Sequence, residues 1–205
     1  MTAGRTIILA SSSPRRRALL EQAGYRVCCI APRIDDGGMA VRPAKAKADC
    51  ASLAWFKAAQ VWIERDRWPV DVTGAMIVAA DTVCVVDGFV LGKPRDAVDA
   101  RTMLERAIGR DVRVVSGVCL LDSLSKGREL FADEAIVRFG AGVLDLLGDH
   151  LAHESWRDRA GGFNLQEVAA AGWPFECIGD PSTVIGLPMR MINERLGEPS
   201  MELES

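Results

Sequence analysis

The segment Met76 to Val86 most constrains what this chain can fold into. It is an apolar run rich in β-branched residues, interrupted once by Asp81-Thr82. Asp87-Gly88 follows, a two-residue hairpin signature, and Phe89 to Leu91 begins the return strand. A carboxylate within a buried strand costs several kcal/mol if nothing compensates it. Asp81 must therefore meet a cation or a metal, or take up a proton. One placement makes it a metal ligand or general base at the end of the sheet. The other leaves it exposed on an edge strand.

The flanking sequence alternates strand and helix signals. Thr6 to Ala10 and Arg26 to Ala31 read as short strands. Pro14 opens a helix to about Gly24, with Ser13 as its cap. Asp35 to Lys47 reads as a polar loop and Ala48 to Asp66 as a long helix. Asp96 caps a helix to Ile108, with Gly109 just past its end. Val112 to Leu121 and Glu134 to Phe139 read as paired strands around a polar turn. Val143 to Glu154 and Pro188 to Leu196 read as helices, while Ala160 to Gly172 carries no clear pattern. This mixture predicts an α/β fold with a mixed sheet. A length of 205 residues, 49 % of them hydrophobic, suits one domain over 1–197 with two lobes around a cleft, and a frayed tail over 198–205.

Composition excludes several classes of function. The net charge of −3 gives no bulk attraction to nucleic acid or to an anionic membrane. No apolar run approaches the roughly 18 residues of a membrane span, and Thr6 to Ala10 is too short for a signal-peptide core. The 6 cysteines form no C-x-x-C pair, which fits reduced thiols in a cytoplasmic protein. His150 and His153 offer too few ligands for zinc and read as surface or packing residues.

Phosphate binding must then come from a local site. Ser11-Ser12-Ser13-Pro14-Arg15-Arg16-Arg17 joins a strand to a helix start. Free N–H groups and the helix dipole attract anions there. Arginines in a first turn oppose the dipole, so they make sense as phosphate ligands; the alternative is a solvated basic turn. Lys57 has Leu53, Ala54, Gln60 and Val61 as its helix neighbours, so it either snorkels along an apolar stripe or enters a polar pocket. Gly92-Lys93-Pro94 fails as a phosphate-binding P-loop, because Gly88 is one residue too close and Pro94 replaces the hydroxyl residue. Lys93 can still meet a phosphate. Gly161-Gly162-Phe163-Asn164-Leu165-Gln166 permits close backbone approach, and the Gln166 amide can pair with a base edge.

Taken in order, these segments resemble the Maf family of nucleoside triphosphate pyrophosphatases. The resemblance runs from about Ile7 to Leu196. It rests on Leu9 to Arg16, Arg42-Pro43, Leu53-Ala54 with Lys57-Ala58, Ala80-Asp81-Thr82, Gly92-Lys93-Pro94, Ala160 to Phe163 with Gln166, and Val184 to Pro188. It implies an elongated mixed sheet flanked by helices, with a deep cleft between two lobes, as in Maf and ITPase folds. It also implies hydrolysis of the α–β phosphoanhydride with a divalent cation (Mg²⁺, Mn²⁺ or Co²⁺). Asp81 matches the family's catalytic acid. Ser13, Arg16, Lys57 and Lys93 match phosphate-contacting positions, and Asp36, with Asp35 as the near alternative, matches a metal partner of Asp81.

Substrate preference in the family tracks three positions, here Arg15, Thr82 and Gln166. That set looks like the branch acting on dTTP and UTP, with modified pyrimidine nucleotides as further candidates. Two alternatives stand beside it: a 7-methyl-GTP pyrophosphatase, and a non-catalytic nucleotide-binding regulator of cell division. The resemblance is compatible with a homodimer. Three residues depart from the family pattern. Glu167 replaces a usual glycine and is expected to crowd or repel substrate. Asp36 replaces a more common glutamate, and Arg159 a frequent lysine.

Overall fold

A computed structural model describes residues 6–33, 40–68 and 70–197. In chain order its elements are β1 (Ile7–Leu9), α1 (Pro14–Gln22), β2 (Val27–Cys29), α2 (Ala46–Ile63), β3 (Met76–Val86), β4 (Phe89–Leu91), α3 (Ala97–Ala107), β5 (Asp111–Asp122), β6 (Arg128–Phe139), α4 (Leu147–Ala152), α5 (Leu165–Ala170), β7 (Phe175–Ile178), α6 (Pro181–Ile185) and α7 (Met189–Leu196). The sheet has the order β2-β1-β3-β5-β6-β7, and β4 also pairs with β3. β1 is parallel to both β2 and β3, and the other pairings are antiparallel. This is the mixed α/β sheet that the strand and helix signals predict.

The apolar run forms the centre of that sheet. Along one edge β3 pairs with β5 from Met76 to Val85. Its other edge is shared: β1 covers Met76 to Val78, and β4 covers Cys84 to Val86. Between them Ala79 to Val83 lack a strand neighbour on that side among the described residues. Asp81 and Thr82 sit in this gap. Asp81 is thus neither at the end of the sheet nor exposed on an edge strand: it lies mid-strand, 14 % exposed, on a locally open edge of a central strand. β1 runs parallel to β3, so the chain leaving β1 carries Ser11, Ser12 and Ser13 directly past the gap.

Period-2 alternation assigns the faces. Ile77 and Ala79, with Ile8, Cys119 and Leu121, pack against Ala54, Ala58 and Val61 of α2. Val78 and Ala80, with Ile7, Leu9 and Val118, pack against Leu20 of α1, Ile192 of α7 and Leu187, which precedes α7. Asp81 continues the α2 face and Thr82 the opposite one. Beyond the gap a separate cluster of Cys84, Val86, Leu91, Leu104, Phe139 and Leu147 joins β3 and β4 to α3 and α4. The two core regions leave the cleft between them.

Gly117 sets how close α2 comes. It is the register partner of Asp81, and a Cβ there would lie 2.2 Å from the Ala51 nitrogen of α2. Only glycine permits this contact.

Several boundaries differ from expectation. β6 begins at Arg128 rather than Glu134, because its pairing with β5 continues through exposed residues. Val143 to Glu154 is a 3₁₀ segment, Ala141–Leu146, followed by the short α4. β7 and α6, with 4 and 5 residues, are too short to show a period. The patternless stretch contains α5, capped by the Asn164 side chain accepting from the backbone N–H groups of Gln166 and Glu167. No helix of the described residues is long and apolar enough to cross a membrane.

Candidate active site

The gap in β3 opens into a cavity of about 990 Å³ lined by residues from both core regions. Ser13, Arg15, Arg16, Lys57, Asp81, Thr82 and Lys93 all line it, as do Arg157, Asp158 and Arg159. A protein of net charge −3 thus gathers six cations around one cleft. Gln166 is exposed on the first turn of α5, at the rim rather than in the lining. Asp35 and Asp36 lie outside the described residues.

Asp81 meets its cation. Lys57 Nζ donates to Asp81 Oδ1 at 2.5 Å, with side-chain exposures of 15 % and 14 %. Lys57 therefore turns off the apolar stripe of α2 into the polar cleft. Each charge compensates the other where water is scarce, so either one alone would be left unpaired.

Arg16 is anchored more deeply than a surface phosphate ligand. Its Nε donates to the Gly186 oxygen at 2.9 Å, and its Nη1 to the Ala80 oxygen at 2.8 Å and Ser11 Oγ at 3.4 Å. Its Nη2 donates to Thr82 Oγ1 at 3.0 Å. These bonds use four of the five guanidinium N–H donors. Ala80 is in the gap, so Arg16 supplies the donor that a neighbouring strand would have given. Gly186 has φ +115°, and a Cβ there would lie 3.1 Å from Arg16 Nε and 3.2 Å from Thr82 Oγ1. Burial pushes the Arg16 guanidinium below its ordinary value, Asp81 opposes this, and Arg15 adds to it.

Ser13 caps α1 as expected, accepting from the Arg16 nitrogen, and Ser11 Oγ accepts from the Ser13 nitrogen at 3.1 Å. Arg17 is exposed and pairs with Glu21 at 2.7 Å, the solvated helix role. Arg15 is half-buried. Burial pushes its guanidinium down, and the neighbouring Arg159 cation pushes it further. Glu167 and Asp158 partly oppose this.

The loop opposite is pinned on three sides. Gly161 donates its N–H to the Gly92 oxygen at 2.9 Å, beside Lys93. Cys84 Sγ donates to the Ala160 oxygen at 3.4 Å. His150 Nε2 lies 2.8 Å from the Gly162 oxygen, so that nitrogen carries the hydrogen. His150 is buried beside Trp173, a packing role. Glu167 does not simply crowd the cleft, because both its carboxylate oxygens accept from the Arg159 guanidinium. Burial pushes the Cys84 and Cys50 thiols up to about 12, which leaves them protonated and poor nucleophiles.

Ser116 and the pairing of Arg159 with Glu167 are parts of the site that sequence reasoning did not single out. Ser116-Gly117 interrupts an apolar strand, the one signal that could have drawn attention there.

Fold and site together define an α/β protein with a cation-lined cleft around the Asp81–Lys57 pair. Comparison with known proteins gives the same class a family. The model of the family described as Maf-like protein matches residues 6–198. Similar chains include a dTTP/UTP pyrophosphatase of Pyrococcus abyssi, 37 % identical over 92 % of this chain and 93 % of its own. One of Symbiobacterium thermophilum is 38 % identical over 89 % and 88 %. One of Rhizobium meliloti is 33 % identical over 97 % and 95 %. This chain belongs to the Maf-like protein family.

Proposed function

We propose that the chain is a nucleoside triphosphate pyrophosphatase that hydrolyses dTTP and UTP to the monophosphate and pyrophosphate. The observation that carries this reading is Asp81, placed by a gap in the sheet at the floor of a cleft ringed by Arg15, Arg16, Lys57 and Lys93. Relatives named for this activity cover nearly the whole chain.

In this reading Ser13, Arg15, Lys57 and Lys93 hold the triphosphate, and Arg16 adds its remaining Nη2 N–H. Fixed cations stabilise charge that grows on the phosphates as the bond breaks. Asp81 orients the attacking water and accepts its proton. Lys57 keeps the carboxylate oriented toward the cleft. Arg15, Thr82 and Gln166 select the base.

The donor set fits a hard divalent cation such as Mg²⁺, Mn²⁺ or Co²⁺. Asp81 accepts from Lys57 through Oδ1 and has Oδ2 to offer. Magnesium is commonly held by one or two carboxylates together with substrate phosphates. Among the described residues no group of three or more His, Cys, Asp or Glu could hold a metal. Asp81, with Asp36 as second carboxylate, would therefore share the cation with the substrate. The cation neutralises phosphate charge. The six free thiols support a cytoplasmic setting for this activity.

The test is a nucleotide panel with pyrophosphate detection under Mg²⁺, Mn²⁺ and Co²⁺. Release from dTTP and UTP above other nucleotides supports the reading. Preference for 7-methyl-GTP would move the substrate, and tight binding without turnover would favour a regulator.

A further inference from the structure

A chain of hydrogen bonds runs from the cleft into the sheet, and its buried end fixes its direction. Ser116 lies opposite Thr82 in register and is fully buried. Its hydroxyl donates to the Thr183 backbone oxygen at 2.8 Å. A carbonyl oxygen can only accept, so the single Ser116 proton is committed there. Ser116 Oγ also lies 2.8 Å from Thr82 Oγ1. With the serine proton engaged, Thr82 is the donor across that contact. From the other side, Arg16 Nη2 donates to Thr82 Oγ1 at 3.0 Å. Every proton in the chain points inward, from Arg16 to Thr82 to Ser116 to Thr183.

Thr82 lines the cleft, yet its one proton is directed to the interior. A hydroxyl oxygen has two lone pairs. The Arg16 N–H takes one, and the other is left for a ligand. Thr82 thus meets a ligand as an acceptor only.

We propose that Ser116 is a specificity-positioning residue: by holding the Thr82 hydroxyl as a fixed acceptor, it makes the cleft favour nucleobases that present an N–H. Uracil and thymine carry a hydrogen on N3, whereas cytosine N3 is itself an acceptor. Two acceptors facing each other leave a polar group unsatisfied, which a partly buried site penalises. The inference rests on the proposed reading that the base lies at Thr82, and it adds the residue that sets the polarity of that contact.

The test compares kcat/KM for UTP and CTP, by pyrophosphate release, in the wild type, Ser116→Ala, Thr82→Val and the double variant. Alanine removes the inward acceptor and lets the Thr82 proton turn to the cleft. The expected result is a UTP-to-CTP ratio that falls on the order of 10-fold in Ser116→Ala. In the Thr82→Val background, Ser116→Ala should then change the ratio by no more than about 2-fold. An unchanged ratio in Ser116→Ala overturns the proposal, as does an equal fall in both backgrounds. If Ser116→Ala does not fold, Ser116→Cys, with its weak acceptor, should lower the ratio by a smaller factor, and an unchanged ratio there overturns the proposal as well. A wild type that turns over CTP as readily as UTP sinks this proposal, and with it the preference for uracil and thymine, but leaves the pyrophosphatase activity standing. A wild type that turns over no nucleotide sinks the proposed function instead.

Discussion

Lys57 Nζ lies 2.5 Å from Asp81 Oδ1, bridging α2 to the open stretch of β3. Removing one partner of such a pair leaves an uncompensated charge, while removing both can be nearly neutral. Lys57→Met should therefore lower both turnover and thermal stability. Lys57→Met combined with Asp81→Asn should recover most of the stability but none of the turnover. Thermal melts and rate assays on the two variants and the wild type check this.

Gly117→Ala tests what brings Lys57 within reach. The added methyl would meet the Ala51 nitrogen at 2.2 Å and the Cys50 carbonyl carbon at 2.3 Å, both backbone atoms of α2. Backbone cannot give way as a side-chain tip can. Overpacking of this kind typically costs about 1–3 kcal/mol and at times more. The variant should melt well below the wild type, and activity per folded molecule should drop as α2 is pushed away.

Where the signal was local, the sequence revealed the fold. The long central strand, its Asp87-Gly88 hairpin, and the Ser13 and Asp96 caps are each written in adjacent residues. β7 and α6 are not, because their order comes from packing against β6 and β5. The site follows the same division. Residue types and their order pointed to Asp81, Lys57 and the arginines. The grip of Arg16 on Gly186, 170 positions away, left no local trace. Arg16 accordingly looked like a free phosphate ligand, whereas most of its donors bind the protein. The Arg159–Glu167 pair was hidden too, and without it Glu167 read as a residue that crowds or repels substrate.

Glu167→Gln addresses that pair. Arg159 is 16 % exposed and Glu167 45 % exposed, so screening keeps the interaction modest. Loss of the carboxylate leaves Arg159 without its counter-charge beside the cleft. KM for dTTP should fall about 3-fold at low salt with kcat unchanged, and the difference should shrink as salt rises.

His150 gives the fold a pH dependence. Burial holds the imidazole below its ordinary value of 6.5, the bond to Gly162 partly opposing this. The folded protein therefore favours the neutral ring, while the unfolded chain takes up the proton more readily. This contribution is fully present above 6.5 and is lost as pH falls through the lowered folded value. Urea unfolding at pH 7.5 and 5.5 should show a larger loss for the wild type than for His150→Gln.

The central claim is that Asp81 carries hydrolysis in this cleft. The most direct measurement is the initial rate of pyrophosphate release from dTTP by Asp81→Asn, with dTTP binding measured alongside. The account predicts that the rate falls on the order of 10²–10⁴-fold while dTTP still binds. Turnover equal to the wild type would contradict it.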